Sequence, residues 1–131
     1  MSVKSLKVEI APGELIDKIT ILEIKSERMD DPAKLENVRR ELEILSATRD
    51  GELDGSEELD ELAAKLKTVN EKLWVIEDDI RDCEAAGDFG ETFIGLARAV
   101  YQINDERARL KREINVLLRS EIIEEKSYKP Y

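Results

Sequence analysis

The segment LDELAAKLKTVNEKLWVIEDDIRDC, residues 59–83, carries the longest regular apolar pattern in the chain. Its apolar positions alternate in steps of three and four, and they are Leu59, Leu62, Leu66, Val69, Leu73, Ile76, Ile80 and Cys83. An apolar repeat of about 3.5 residues is the seam of a helix that packs lengthwise on another helix. The segment therefore predicts a long α-helix within an all-α, antiparallel, coiled-coil-like helical bundle.

Signals for helix ends divide the rest of the chain into three further helices. Ser56 and Gly87 suit the start and end of the long third helix. Asp88 with Glu91 predicts a capping box for a fourth helix that runs to about Lys126. On the other side, helix 1 opens at Pro12, helix 2 opens at Asp31-Pro32, and Gly51 is expected to end helix 2.

The loops between these helices are short, which makes consecutive helices antiparallel neighbours. The expected fold is a long hairpin of helices 3 and 4, with a shorter hairpin of helices 1 and 2 packed on it, in a single domain covering 1–131. Residues 3–10 alternate, with Leu6, Val8 and Ile10 on one side, and predict a short extended segment. We expect this segment to dock on the tail, at Tyr128 and Tyr131, or on its equivalent in another subunit, because a lone strand leaves backbone groups unpaired.

Composition excludes several classes of function. The chain has 131 residues, 40% of them charged, and a net charge of -10, which opposes binding to nucleic acids or anionic membranes. It contains no histidine and one cysteine, so histidine-based nucleophile systems and an internal disulfide are excluded. We expect a cytoplasmic protein, since no segment resembles a signal peptide or a membrane span. We also expect no cofactor.

Helix 4 places polar residues on its apolar seam, Asn104 and Arg107. In an antiparallel hairpin, the turn decides which residues of the two helices lie at the same height. For helices 3 and 4, these are residues whose numbers sum to about 175. The same arithmetic for the other turns gathers one polar layer, formed by Glu23, Arg39, Asn70, Asn104 and Arg107, with Trp74 and Tyr101 one turn away. One interpretation is a structural layer in which Glu23 pairs with an arginine. The other is a pocket for a small anion with aromatic walls.

The sequence also predicts an interface at the far end of the long hairpin. Helices 3 and 4 should continue about ten residues, or roughly 15 Å, beyond helices 1 and 2. This overhang carries apolar residues that two helices alone hide only in part, which are Ile76, Ile80, Cys83, Phe89, Phe93 and Leu96. We therefore predict a homodimer through this end.

Three stretches together resemble a family of small bacterial proteins known as a domain of unknown function. They are PGELIDKITILEIKSER, VNEKLWVIEDDIR, and LARAVYQINDERARLKREIN with EEKSY near the end. The resemblance covers nearly the whole chain and implies a bacterial cytoplasmic protein, but no activity, substrate or catalytic residue. INDERARLKREINVLL is also weakly similar to the all-helical chorismate mutases, although the order and spacing of its basic residues do not fit that family.

These observations leave three functional hypotheses. The first is a non-enzymatic helical interaction or scaffold protein that forms a homodimer, with binding of another protein as a further option. The second is a small-anion-binding protein or a pericyclic-type enzyme with its site in the polar layer. The third is a magnesium-dependent nucleotide hydrolase, because several acid pairs share a helix face, although so acidic a chain contains such pairs by chance.

Overall fold

The structure is a computed structural model that describes residues 4–131, and those residues form four α-helices and no strand. The helices are α1 (Pro12–Arg28), α2 (Pro32–Glu52), α3 (Glu57–Ala86) and α4 (Glu91–Leu117). The predicted all-α fold is confirmed. Within the described residues, none of the helices has the length and apolar character needed to cross a membrane.

Several helix ends lie where the sequence predicts them. Pro12 is the first residue of α1, and the side chain of Asp31 accepts backbone hydrogen bonds at the start of α2. Ser56 caps α3 in the same way. Gly87 closes α3 in the left-handed conformation, at φ 66°, which glycine adopts without steric cost.

Two predicted boundary signals are wrong. Gly51 does not end α2, because the helix continues for one more residue and is capped at Leu53. Asp88 forms no capping box with Glu91. Its side chain instead accepts the N–H of Gly90 at 3.0 Å, and Gly90 takes the N-cap position without a side-chain cap. The local turn therefore uses the aspartate that the sequence pattern assigned to the helix.

Helix α4 ends at Leu117, and the prediction that it runs to about Lys126 is wrong. Arg119 adopts a left-handed conformation, at φ 54°. The N–H of Ser120 then donates to the carbonyl of Asn115 at 2.9 Å, and that of Arg119 to the carbonyl of Val116 at 3.2 Å. This pair of bonds is a Schellman closure. The pattern was hard to foresee because the left-handed position holds arginine rather than glycine.

The helices do not all lie side by side. α1 packs against both α3 and α4, whereas α2 packs against α1 alone. The start of α1 contacts α4, where Gly13 bonds to Asn115, and its end contacts α3, where Glu27 pairs with Lys67. α1 therefore crosses the α3/α4 hairpin obliquely. The level arithmetic that placed α2 beside α3 is wrong for this reason.

The core lies where α1 crosses the hairpin. Its buried residues come from α1, α3 and α4, and they are Ile16, Leu59, Leu66, Val69, Leu110 and Ile114. On α2, only Val38 is buried. The hydrophobic stabilisation of the fold is therefore concentrated in three helices, and α2 is an outer layer.

The two ends of the chain do not pair with each other. Residues 5–11 belong to no helix or strand, and residue 3 of the predicted segment lies outside the described residues. Leu6 and Val8 are 83% and 75% exposed, and Tyr128 and Tyr131 are exposed as well. The expectation that the N-terminal segment docks on the tail within one chain is therefore wrong. Docking on another subunit stays a prediction.

Candidate functional site

A buried carboxylate, Asp17 of α1, is the centre of a polar cluster where the three core helices meet. Its side chain is 1% exposed, while that of its partner Arg107 is 29% exposed. Arg107 Nε donates to Oδ1 at 2.9 Å and Nη2 donates to Oδ2 at 2.6 Å. This forked arrangement is the strongest geometry for a guanidinium and a carboxylate. It joins α1 to the middle of α4.

Three further polar side chains complete this cluster. Asn70 Nδ2 donates to Asp17 Oδ1 at 3.0 Å and to Thr20 Oγ1 at 2.9 Å. Thr20 Oγ1 donates to the Asp17 carbonyl at 2.8 Å, and Asn104 Oδ1 accepts from Arg107 Nη1 at 3.5 Å. Among the described residues, every buried side-chain nitrogen and oxygen has a partner. The buried polar atoms of the cluster are therefore paired within the protein, and none of them needs a ligand as a hydrogen-bond partner.

The protonation states follow from these contacts. Burial alone raises the pKa of Asp17, but hydrogen bonds from Arg107 and Asn70 and the charges of Arg107 and Lys111 outweigh it and lower the pKa below 3.8. The hydrogen bond to Asp17 raises the pKa of Arg107. Both groups are therefore charged at neutral pH, as a buried ion pair.

A second contact fixes the start of α1 on α4. The N–H of Gly13 donates to Asn115 Oδ1 at 2.7 Å, and both residues are buried. A Cβ atom at Gly13 would lie 2.3 Å from the carbonyl oxygen of Lys111. Only glycine allows the two backbones this approach. Because Gly13 and Asp17 are one turn apart, the two contacts set the position of α1 together.

A groove of about 1050 Å³ runs along α4 beneath the C-terminal tail. All three tyrosines of the chain line it, and they are Tyr101, Tyr128 and Tyr131. Tyr131 donates a hydrogen bond to Asp105 at 2.6 Å and stacks edge-on against Tyr101. The groove has anionic and cationic walls, and most of its cations have partners within the chain.

Lys111 shows how these charges are balanced. Its ammonium group lies 2.7 Å from Glu14 and 3.7 Å from Glu124, and Lys126 lies 2.9 Å from Glu124. The hydrogen bond from Lys126 and the charge of Lys111 lower the pKa of Glu124. An anionic ligand entering the groove must compete with these carboxylates.

The far part of the α3/α4 hairpin, residues 72–103, forms the hairpin tip. The last ion pairs from α1 reach α3 at Lys67 and Glu71, and α2 does not contact the hairpin helices. Within the hairpin tip, Cys83 is the one buried residue. The seam residues Ile76, Ile80, Phe93 and Leu96 are half-buried, and Phe89 is exposed but stacks edge-on against Phe93. Two helices alone therefore hide the predicted interface residues only in part.

The α4 part of the hairpin tip differs in composition from the rest of the protein. Residues 92–103 contain a single charged residue, Arg98, although 40% of the chain is charged. A helical segment with so few charged residues normally keeps most of its side chains in contact with neighbouring elements. Here none of the residues 92–103 is buried, and Ile94 is 53% exposed. Its exposed positions include two large apolar side chains, those of Ile94 and Tyr101, so the single chain covers this segment only in part.

Residues 6–131 match a protein family described as a family of unknown function (DUF6165). The chain belongs to DUF6165. The match spans nearly the entire sequence and confirms the resemblance at the level of the family. No curated protein and no solved structure matches the chain.

The structure of this DUF6165 chain brings together part of the predicted polar layer. Asn70, Asn104 and Arg107 lie in the Asp17 cluster. Glu23 is half-buried and is not the partner of Arg107, and Arg39 is exposed on α2. The pairing of Glu23 with an arginine is therefore wrong, because α1 crosses the hairpin and presents Asp17 instead. Trp74 is half-buried on α3, and Tyr101 lines the groove.

Sequence reasoning missed Asp17 and Thr20. Both lie on the side of α1 that carries Leu15, Ile16 and Ile19, and both are buried. A carboxylate and a hydroxyl three positions apart on an otherwise apolar helix face are the signal that could have found them, since buried acids require partners. By contrast, no group of three potential metal ligands converges within residues 4–131.

Proposed function

We propose that this DUF6165 chain is a helical interaction protein that pairs with a second copy of itself through the hairpin tip. The observation that carries the proposal is residues 92–103, which contain a single charged residue, expose Ile94 and Tyr101, and include no buried residue. A bacterial cytoplasmic setting belongs to the same proposal, on the resemblance described above and the lone free cysteine.

A second copy fits this surface better than an unrelated partner for two reasons. Two antiparallel helix hairpins with half-exposed apolar seams can complete each other as a four-helix bundle, and closed two-fold symmetry is the commonest solution for soluble proteins. The charges are also complementary. Arg98 on α4 is exposed, and α3 carries an acidic run at Glu77, Asp78, Asp79 and Asp82. A two-fold contact can bring each Arg98 towards the acidic helix of the other copy.

The test is the mass of the folded protein in solution. We expect the wild type to have twice the mass of the chain by light scattering at tens of micromolar, and Ile80→Glu/Phe93→Glu to be monomeric, because a buried unpaired carboxylate opposes association. Ile94→Glu is a milder variant, since Ile94 is half exposed and its replacement leaves the hairpin seam intact. It should also shift the protein towards the monomer.

The matched control is Ile44→Glu on α2, which changes an equally exposed isoleucine, 58% exposed, outside the hairpin tip. This variant should keep the mass of the wild type. A folded wild type that is monomeric contradicts the proposal. A dimer that survives both Ile94→Glu and Ile80→Glu/Phe93→Glu places the contact elsewhere on the chain.

Binding of a small anion is the second candidate function, and the observation that favours it is the groove with three tyrosines. Its support is weaker because Arg107, Lys111 and Lys126 already have carboxylate partners. A thermal-shift screen with carboxylates, phosphates and nucleotides separates the candidates. If the interaction function holds, the screen gives no large shift. A large shift that Tyr101→Ala removes, in a variant that stays folded, favours the groove.

A further inference from the structure

Within residues 4–131, the backbone of the N-terminal segment, residues 4–10, forms no hydrogen bond, and its apolar side chains are exposed. Among the described residues, no backbone–backbone hydrogen bond outside the helices involves it. Leu6 and Val8 are almost fully exposed, and Ile10 is 40% exposed. A segment outside any helix, with unpaired backbone groups and apolar residues at alternate positions, can pair as a strand with another chain.

The position of this segment is fixed at one end. Ala11 has an extended backbone, at φ -70° and ψ 147°, and Pro12 begins α1. Gly13 anchors that helix to Asn115. On the other side of a gap of about 570 Å³ lie Ile122 and residues 124–126 of the tail, which line the gap with Glu9 and Ile10. The segment is therefore held in place where it joins α1, while its backbone groups stay available for pairing.

We propose that residues 6–10 pair with the same residues of a second copy, as antiparallel strands around a two-fold axis at Val8. The sequence of the segment, Leu-Lys-Val-Glu-Ile, is self-complementary about its centre. The axis places Val8 opposite Val8 and Leu6 opposite Ile10 twice. It also places Lys7 opposite Glu9 twice. Directly opposite residues share one face, so all apolar residues lie on one face and two ion pairs on the other.

Neighbouring registers lack this complementarity. An axis at Lys7 places the two Lys7 side chains opposite each other, and like charges directly opposite are destabilising. A shift by one residue places Lys7 opposite Val8 and mixes the two faces. The axis at Val8 is therefore the register that both the apolar pattern and the charges favour.

This contact is separate from the hairpin tip and does not rest on the proposed function. A two-stranded ribbon is marginal in water, so the strand contact is weak by itself. Its effect is to join copies at a second place, and because it is weak, assemblies larger than the hairpin-tip dimer should form only above the tens of micromolar at which the mass is measured. Chemical cross-linking detects such a weak contact better than mass does.

The first experiment uses single cysteines in the full chain, with Cys83→Ala to remove the native thiol. Val8→Cys should form a disulfide-linked dimer rapidly under mild oxidation, because the axis holds both residues 8 within bonding reach. Leu6→Cys is the matched control in the same exposed segment. In the proposed register its two copies are four residues apart along the strands, roughly 14 Å at about 3.4 Å per residue, which is beyond the reach of a disulfide. A mixture of Leu6→Cys and Ile10→Cys chains should cross-link.

Charge reversal tests the register itself. In the Val8→Cys chain, Lys7→Glu or Glu9→Lys turns two attractive pairs into repulsive ones, and should slow cross-linking about tenfold, as expected for about 1.4 kcal/mol. The double variant Lys7→Glu/Glu9→Lys should restore the rate, and so should a mixture of the two single variants. Equal rates for Leu6→Cys and Val8→Cys, or rates that ignore the charge reversals, overturn the proposal.

Separate measurements test the strand contact and the hairpin-tip contact. Val8→Cys should still cross-link faster than Leu6→Cys when Ile80→Glu/Phe93→Glu is added. Both rates should fall together, because the hairpin-tip contact raises the local concentration of the segment. The mass of Ile80→Glu/Phe93→Glu without the added cysteine decides the hairpin-tip contact. Failure of one contact therefore leaves the result for the other unchanged.

Discussion

Replacing Arg107 with alanine should lower the free energy of unfolding by about 3 kcal/mol at neutral pH, because it leaves the Asp17 carboxylate charged and buried without its main partner. Asp17 is 1% exposed, and the variant removes both of the forked hydrogen bonds that Arg107 donates to its carboxylate. Urea denaturation followed by circular dichroism measures the change.

Arg39→Ala is the matched control for this prediction. Arg39 is exposed on α2, away from the cluster, and its loss should change the free energy of unfolding by less than about 0.5 kcal/mol. If Arg107→Ala costs as little as Arg39→Ala, the ion pair contributes nothing and the cluster is not a determinant of the fold.

The pH dependence of the two proteins gives an independent check. In the wild type the pKa of Asp17 is lowered from 3.8, so its contribution is complete above that value and is lost as the pH falls through the lower folded pKa. Without Arg107, we expect burial, the largest single influence on this group, to outweigh Asn70 and Lys111 and to raise the pKa of Asp17 in the folded state. Arg107→Ala then loses stability as the pH rises above 3.8, so its deficit should be smallest in acid and largest at neutral pH.

Gly13→Ala should also lower the free energy of unfolding by about 3 kcal/mol, because the new methyl group forces α1 away from α4. The atom it meets is a backbone carbonyl, that of Lys111, which cannot rotate aside as a side chain could. Separation of the helices also lengthens the buried hydrogen bond from Gly13 to Asn115, which adds to the cost. Chemical denaturation measures this effect too.

The control for Gly13→Ala is Gly51→Ala near the end of α2. No atom lies within 4 Å of a Cβ at Gly51, and the position is helical. Alanine should therefore raise the free energy of unfolding by up to about 1 kcal/mol through its helix propensity. If both variants are stabilised alike, the close approach of α1 and α4 at Gly13 does not exist in solution.

The amino-acid sequence by itself determined the helices and most of their ends. The seam from Leu59 to Cys83 is a local periodic signal, and it gave α3 its length because helical spacing does not depend on the partner. Asp31, Ser56 and Gly87 act within one turn of their own helix, so they too could be interpreted without a fold. Three boundary predictions failed. At Asp88 a local turn competed for the side chain, at Gly51 the helix continued for one more residue, and the end of α4 lacked the usual glycine signal because Arg119 takes the left-handed position.

The antiparallel arithmetic was useful only within one hairpin. Asn70 and Arg107 lie at one level because α3 and α4 are joined by a tight turn and run side by side. The same arithmetic failed for α1 and α2, because nothing in a local pattern states the angle at which one helix crosses another. That angle depends on shape, on how the ridges of one helix fit the grooves of its neighbour.

Only the tertiary structure decided the partner of Arg107 and the exposed surfaces. The oblique path of α1, set by the close contact at Gly13, brings Asp17 rather than Glu23 to the guanidinium. The same path keeps α1 and α2 away from the hairpin tip, so an apolar stretch of α4 stays uncovered. Each of these residues is visible in the sequence. Their contacts depend on packing between segments that are distant in the chain, and no local spacing encodes that packing.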